Sequence, residues 1–291
     1  MTVGQQYLFG YLDGSETKLA YHDGTTSYAV DEWKIPSFDL MMTDIAAADL
    51  QTALDDAKGN PLPADVKPTL KGLLNSQEIW AAGVTYKVSE EARERESGNS
   101  NIYTRVYSAA RPELFYKANG LDIVSEGDHV GIRADATWSV PEPELTLVLN
   151  RRLEVIGFTI GNDMSSRDIE GENPLYLPQA KMYDLSCALG PRIWLQPAAN
   201  AWPEVEISVN IFRNDTSVFN ARTTTEALKR RLPELVGYLG RAKTFRRGVL
   251  LLTGTSLVPP DTFTLQVGDR VEITIPPIGT LTNSVVQVGS K

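Results

Sequence analysis

Glu142 and Glu144 stand one residue apart in WSVPEPELTLVLN, residues 138–150. Residues i and i+2 of a strand share a face about 7 Å apart. The two carboxylates therefore point the same way, at the entrance of a segment whose Leu145, Leu147 and Leu149 take the other parity. After a turn near Asn150 to Arg152, LEVIGFTIG returns as the second arm of an antiparallel hairpin and brings Asp163 past the Glu142 end. Three carboxylates gathered in a partly dry place repel one another unless something compensates. A divalent cation does so, and an all-oxygen ligand set points to Mg²⁺, Mn²⁺ or Ca²⁺ rather than zinc. An E-x-E taken alone reads more simply as two glutamates flanking a turn and facing water. The following GNDMSSRDIEGENPLY tips the reading toward a site: it is long, polar and Gly/Asn-rich, and is expected to leave the strand as a loop at Asp163. QAKMYD then supplies Lys181, and a desolvated lysine near a metal serves as a base or holds a carboxylate.

These residues need elements to position them. From about residue 75 onward, short apolar segments such as EIWAAGV, EVEISVNIF, GVLLLTGTS and GTLTNSVVQV alternate with Gly/Pro turns, which predicts a β-rich core with few helices. Residues 1–70 read as a separate small unit, and 71–291 as the catalytic part. In the former, QQYLFGYL and TTSYAVDEW read as strands. Residues 43–57 read as one helix capped by a threonine or aspartate, and 58–68 as a linker marked by its prolines and glycine. The charge-dense, helix-forming stretch 86–110 reads either as a solvated face or as a lid over a site.

Composition bounds the partners. A chain of 291 residues that is 42% apolar and 22% charged is an ordinary globular protein, with no apolar run near the roughly 20 residues that span a bilayer. MTVGQQYLFG lacks a charged region followed by an apolar one, so no secretory signal is expected. The single cysteine, Cys187, cannot form an internal disulfide, which fits a reducing, cytoplasmic compartment. A net charge of −9 repels nucleic acid, and the basic residues of 229–247 are spread as on a solvated surface. The expected partner is a small molecule, with no nucleic acid and no membrane.

RPELFYKANG, PEPELTLVL, GFTIGNDMSSRD, QAKMYD, LGPRI, LLTGTS, LQVGDRVEITI and IGTLTN occur in one order over residues 75–287. In that order they resemble the fumarylacetoacetate hydrolase superfamily. The resemblance implies a mostly β (α+β) protein, a β-sandwich roll with a small N-terminal α/β domain that associates as a homodimer or homotetramer. The family's E-x-E…D metal pattern falls on Glu142, Glu144 and Asp163, its active-site lysine on Lys181, and its T-G-T motif on Thr253, Gly254 and Thr255. One departure matters. Family hydrolases activate water with a histidine and a glutamate of the lid, whereas this chain has only His22 and His129, both outside that segment. GVTYKVSEEARERE and EGENPLYLPQAK instead resemble the branch that dehydrates 2-keto-3-deoxy sugar acids.

That resemblance implies a cytoplasmic hydro-lyase that converts 2-dehydro-3-deoxy-D-arabinonate to 2,5-dioxopentanoate with Mg²⁺, or with Mn²⁺ in its place. Such a reaction needs a base near C3 and an acid near C4. Lys181 is the first candidate for the base, and Glu113 is the second acid/base candidate. Lys117 is a candidate to hold the substrate carboxylate or a metal-bound water, unless it pairs with Glu113 four residues away on the same strand. Ser165, Ser166, Arg167 and Glu172 are candidates for substrate hydroxyls or carboxylate, and Thr255 for a donor to the carboxylate. The alternatives are a C–C hydrolase of acylpyruvate or fumarylacetoacetate type, a keto-acid decarboxylase, or a metal-binding protein without activity.

Overall fold

A computed structural model describes residues 4–86, 109–195 and 202–290. The lid candidate lies outside them except for Tyr86, Ala109 and Ala110. Seventeen strands are described: β1 Tyr7–Asp13, β2 Glu16–His22, β3 Ser27–Val30, β4 Lys58–Pro61, β5 Glu78–Gly83, β6 Glu113–Asn119, β7 His129–Arg133, β8 Ser139–Val140, β9 Pro143–Leu149, β10 Val155–Asp163, β11 Ser165–Ser166, β12 Cys187–Leu195, β13 Glu206–Arg213, β14 Thr216–Thr224, β15 Val249–Leu252, β16 Arg270–Ile275 and β17 Gly279–Val288. Ten form one sheet in the order β4-β3-β2-β1-β12-β10-β9-β15-β5-β6, and five form a second in the order β14-β13-β16-β17-β7.

The alternation read from β9 explains how the layers stack. Leu145, Leu147 and Leu149 join Phe158, Val249 and Leu251 in a core shared with Val209, Ile211, Ile273, Leu281 and Val285 of the five-stranded sheet. Val148, on the other parity, joins a second core with Leu250, Leu252 and the helical residues Phe38, Met41, Met42 and Leu54. Every residue of β9 is buried, so its charged end lies inside the protein rather than at a wet turn. The two sheets thus share one core face to face, as the β-sandwich expected from the resemblance requires. Among the described residues no helix is long and apolar enough to cross a membrane.

The N-terminal segment joins the large sheet, where β1 pairs antiparallel with β12. Two local expectations differ from the structure there. The single helix over 43–57 is two: α1 (Phe38–Asp44), capped by the Ser37 hydroxyl, and α2 (Leu50–Asp56). The β9–β10 turn holds the break open, since Asn150 Nδ2 donates to Ile45 O and Glu154 Oε2 accepts from Ala47 N at 2.9 Å. That tertiary contact has no trace in local propensity. The expected linker begins as β4, paired with β3. Lys58 binds Asp23 and Asp55 there at 2.9 and 3.0 Å. In the basic stretch 229–247, helix α5 (Leu232–Leu239) buries Leu232, Leu235 and Leu239, so part of it belongs to the core rather than to a solvated surface.

Candidate active site

The β9–β10 hairpin builds the acidic cluster through its register. Gly161 pairs with Glu144 and Asn162 with Pro143, and the Asp163 N–H donates to Glu142 O at 3.0 Å. One oxygen from each of Glu142, Glu144 and Asp163 lies within 4.8 Å of the others, and all three residues are buried. Two oxygens bound to one ion at about 2.0–2.6 Å stand no more than about 5 Å apart, so the spacing suits a hard cation. The adjoining stretch is not the loop expected from its composition. It runs through β11, helix α3 (Arg167–Glu172), a 3₁₀ turn (Pro174–Tyr176) and helix α4 (Leu177–Lys181). Helix α3 carries Arg167 into the cluster, and α4 ends at Lys181.

Cations meet two of the three carboxylates. Lys181 Nζ lies 2.7 Å from Glu142 and 3.2 Å from Asp163, and donates to Ser165 Oγ at 2.5 Å. The Arg167 guanidinium is 2.8 Å from the other oxygen of Glu142. Glu144 has a different partner: the Gly254 N–H donates to it at 2.6 Å. Burial, and then the charges of Asp163 and Glu142, push the Glu144 carboxyl well above the usual carboxylate range. A divalent ion bound to all three oxygens supplies positive charge where it is scarcest, and the donor set therefore fits Mg²⁺ or Mn²⁺.

The T-G-T motif supports Glu144. Thr253 continues past β15 beside β9, with its N–H and hydroxyl both donating to Leu145 O. Gly254 then adopts φ +90, and a Cβ there would come within 2.0 Å of Thr85 Oγ1. Only glycine fits this conformation and this approach. Thr255 lines the cavity beyond.

That cavity is lined by Glu142, Asp163, Lys181, Arg167, Thr255 and Glu113, with Glu170 and the β5–β6 wall. Glu113 opens β6 opposite Gly83, and a Cβ on Gly83 would fall 2.1 Å from Glu113 Oε2. The glycine thus makes the room that the glutamate fills. Ser165 accepts a hydrogen bond from Lys181, and both Ser165 and Ser166 are buried outside the cavity lining.

Two candidates stand elsewhere. Lys117 is fully buried beneath the cluster, 2.5 Å from Asp163 Oδ1, and donates to Met164 O at 3.0 Å and Lys181 O at 2.5 Å. Its ammonium is thus held by two backbone carbonyls and faces Asp163 as an ion pair, and it does not line the cavity. Its position comes from a bulge. Ile79 pairs with Ala118 and Trp80 with Tyr116, which leaves Lys117 as the extra residue. Glu172 is exposed at the end of α3 and lies outside the cavity lining, whereas Glu170, one helical turn beyond Arg167, lines it. The i, i+3 spacing of Arg167 and Glu170 was the available signal for this second glutamate. Tyr86 also went unread. Its hydroxyl is buried with no hydrogen-bond partner among the described residues, and burial and the Glu144 charge raise its pKa and keep it protonated. The histidines are remote from this chemistry: His22 binds Ser27 and His129 binds Ser284, and neither lines the cavity.

Residues 78–286 match the fumarylacetoacetate (FAA) hydrolase C-terminal family, and the chain belongs to it. It is 51% identical over 215 residues to a Haloferax volcanii protein described as a probable 2-keto-3-deoxyxylonate dehydratase, covering 74% of each chain. It is 38% identical over 216 residues to the 2-dehydro-3-deoxy-D-arabinonate dehydratase of Saccharolobus solfataricus, covering 73% of this chain and 72% of that one. Its fold superposes with a TM-score of 0.81 on a 2-keto-3-deoxy-D-arabinonate dehydratase complexed with magnesium and 2,5-dioxopentanoate, at 29% identity over 98% of this chain and 100% of that one.

Proposed function

We propose that this protein is a Mg²⁺-dependent hydro-lyase that dehydrates 2-dehydro-3-deoxy-D-arabinonate to 2,5-dioxopentanoate in the non-phosphorylative breakdown of pentoses. One observation carries the reading. A single cavity joins a buried three-carboxylate cation site to one amine, Lys181, and two further acids, Glu113 and Glu170, with neither of the chain's two histidines in it. A base and an acid suffice for loss of water, whereas hydrolysis of a C–C bond calls for a group that activates water. The likeness to dehydratases at 51% and 38% identity supports the same choice.

Glu142, Glu144 and Asp163 would hold Mg²⁺, and the bound ion supplies a Lewis acid for the C2 carbonyl, which acidifies the C3 protons. Lys181 Nζ takes a proton from C3. Glu113 gives a proton to the C4 hydroxyl, which departs as water, and a C3–C4 double bond forms. Protons then leave C5 and O5 while others are added at C4 and C3, and this makes the C5 aldehyde. Thr255, which lines the cavity, donates to the substrate carboxylate in this reading. Arg167 orients Glu142 from the opposite side to Lys181. The buried thiol of Cys187, the sole cysteine, supports a reducing cytoplasm as the site of action. Strand β14, at the edge of the five-stranded sheet with alternate residues exposed, supports assembly as a homodimer or homotetramer.

A coupled assay tests the reading. An NAD(P)⁺-dependent semialdehyde dehydrogenase reports 2,5-dioxopentanoate formed from the pentonate, and the signal is expected with Mg²⁺ and absent with excess chelator. A chelator-resistant signal overturns the role of the metal, and no signal in either condition overturns the substrate.

A further inference from the structure

Two of the cavity's carboxylates, Glu113 and Glu170, lie outside the cluster that suits a cation. Glu113 enters from the β5–β6 wall, in the space beside Gly83. Glu170 enters from α3, where it shares the buried face of Arg167, the residue that grips Glu142. The residue next to Arg167 does not point there, because Asp168 accepts from the Thr137 N–H and hydroxyl at 2.6 and 2.8 Å. Glu170 is 4% exposed. The remaining wall, Ala82, Gly83, Val84 and Phe115, offers no side-chain donor. Arg167 lines the cavity as well, with its guanidinium held by Glu142. A ligand whose 2-keto acid end meets the cation site then extends its far carbons past the Glu113 carboxyl group, the Glu170 carboxylate and this apolar wall.

We infer that Glu170 selects 2-keto acids that carry a single carboxylate and hydroxyl groups on their far carbons, and rejects 2-keto dicarboxylates. A carboxylate only accepts hydrogen bonds, and hydroxyls donate them. A second substrate carboxylate has no proton to give and brings like charge into a poorly solvated space, where repulsion is strong. The same residue therefore provides both the attractive and the repulsive part of the discrimination. The inference rests on reading this cavity as a 2-keto acid site.

Binding of two stable probes separates the inference from that reading. Pyruvate presents the 2-keto acid end alone. 2-Oxoglutarate is 2,5-dioxopentanoate with a carboxylate in place of its C5 aldehyde. Calorimetric titration of the Mg²⁺-loaded protein is expected to show pyruvate bound at least about tenfold more tightly than 2-oxoglutarate, as removal of an opposing charge pair commonly changes affinity by this much or more. In Glu170→Gln, pyruvate affinity is expected to stay the same while 2-oxoglutarate tightens about tenfold, and KM for the pentonate is expected to rise about tenfold with kcat less affected. An unchanged pyruvate-to-2-oxoglutarate ratio in the variant overturns the inference and leaves the 2-keto acid reading standing. A parallel loss of both ligands makes Glu170 a structural residue and also overturns it. If the wild-type protein binds neither probe, both readings fall.

Discussion

Lys181 and Lys117 show how far two lysines can diverge when both are buried against the same aspartate. Lys181 lines the cavity and bridges two carboxylates and Ser165, so its amine faces the space that the proposed reaction uses. Lys117 meets Asp163 and the carbonyls of Met164 and Lys181, so it positions the proposed metal ligand and the backbone of the proposed base. Opposite phenotypes follow. Lys181→Met is expected to lower kcat by about 10²–10⁴. Mg²⁺ affinity, read by calorimetry, should survive. A near-normal kcat would remove Lys181 from the proton transfer. Lys117→Met strips a buried carboxylate of its partner, which typically costs about 3–5 kcal/mol of stability. It should also weaken Mg²⁺ by about 10- to 100-fold, as loss of an outer-shell partner does. Denaturant unfolding with chelator and a Mg²⁺ titration measure the two effects, and a variant of wild-type stability would contradict the placement.

At the scale of elements, a short hairpin and two glycines shape the site. β9 and β10 place Glu142, Glu144 and Asp163 by register alone. Gly83 clears space for Glu113, and Gly254 passes close to Thr85 to offer its N–H to Glu144. In Gly83→Ala the new methyl would displace only the flexible end of Glu113. kcat/KM on the pentonate should therefore fall toward that of Glu113→Gln while the melting temperature barely changes, and an active Gly83→Ala enzyme would argue against Glu113 as the acid. The hairpin was legible because strand parity and a short turn leave few registers, and those few all bring Asp163 near the E-x-E. Lys181 was legible from its neighbours in the chain. The place of Lys117 outside the cavity is not legible in the sequence, because a bulge re-aims a side chain without any mark in the apolar pattern. Glu172 was preferred to Glu170 because 161–176 read as a loop, and without a helix there is no phase to choose between them. The division of one expected helix into α1 and α2 depends on Asn150 and Glu154, more than a hundred residues away.

For the whole molecule, the acidic cluster makes stability depend on pH and metal together. The Glu144 carboxyl titrates well above its unfolded value of about 4.3, because burial and its two neighbours disfavour the charge. Between the two values the folded protein holds a proton that the unfolded chain has lost, so metal-free stability falls as pH rises through that window. Mg²⁺ binds the ionised form, and its stabilisation reaches ~2.7 kcal/mol at about a hundred times Kd. The difference in melting temperature between Mg²⁺ and chelator is therefore expected to widen as pH rises above the unfolded value of about 4.3, and a constant difference would contradict the strain assigned to Glu144. The most direct test of the dehydratase reading is NMR of the products formed from 2-dehydro-3-deoxy-D-arabinonate in D₂O with Mg²⁺. The account predicts 2,5-dioxopentanoate carrying solvent deuterium at C3 and C4, since both carbons receive protons after water leaves. Pyruvate together with a two-carbon fragment would contradict it, because that outcome means that the cavity breaks a carbon–carbon bond.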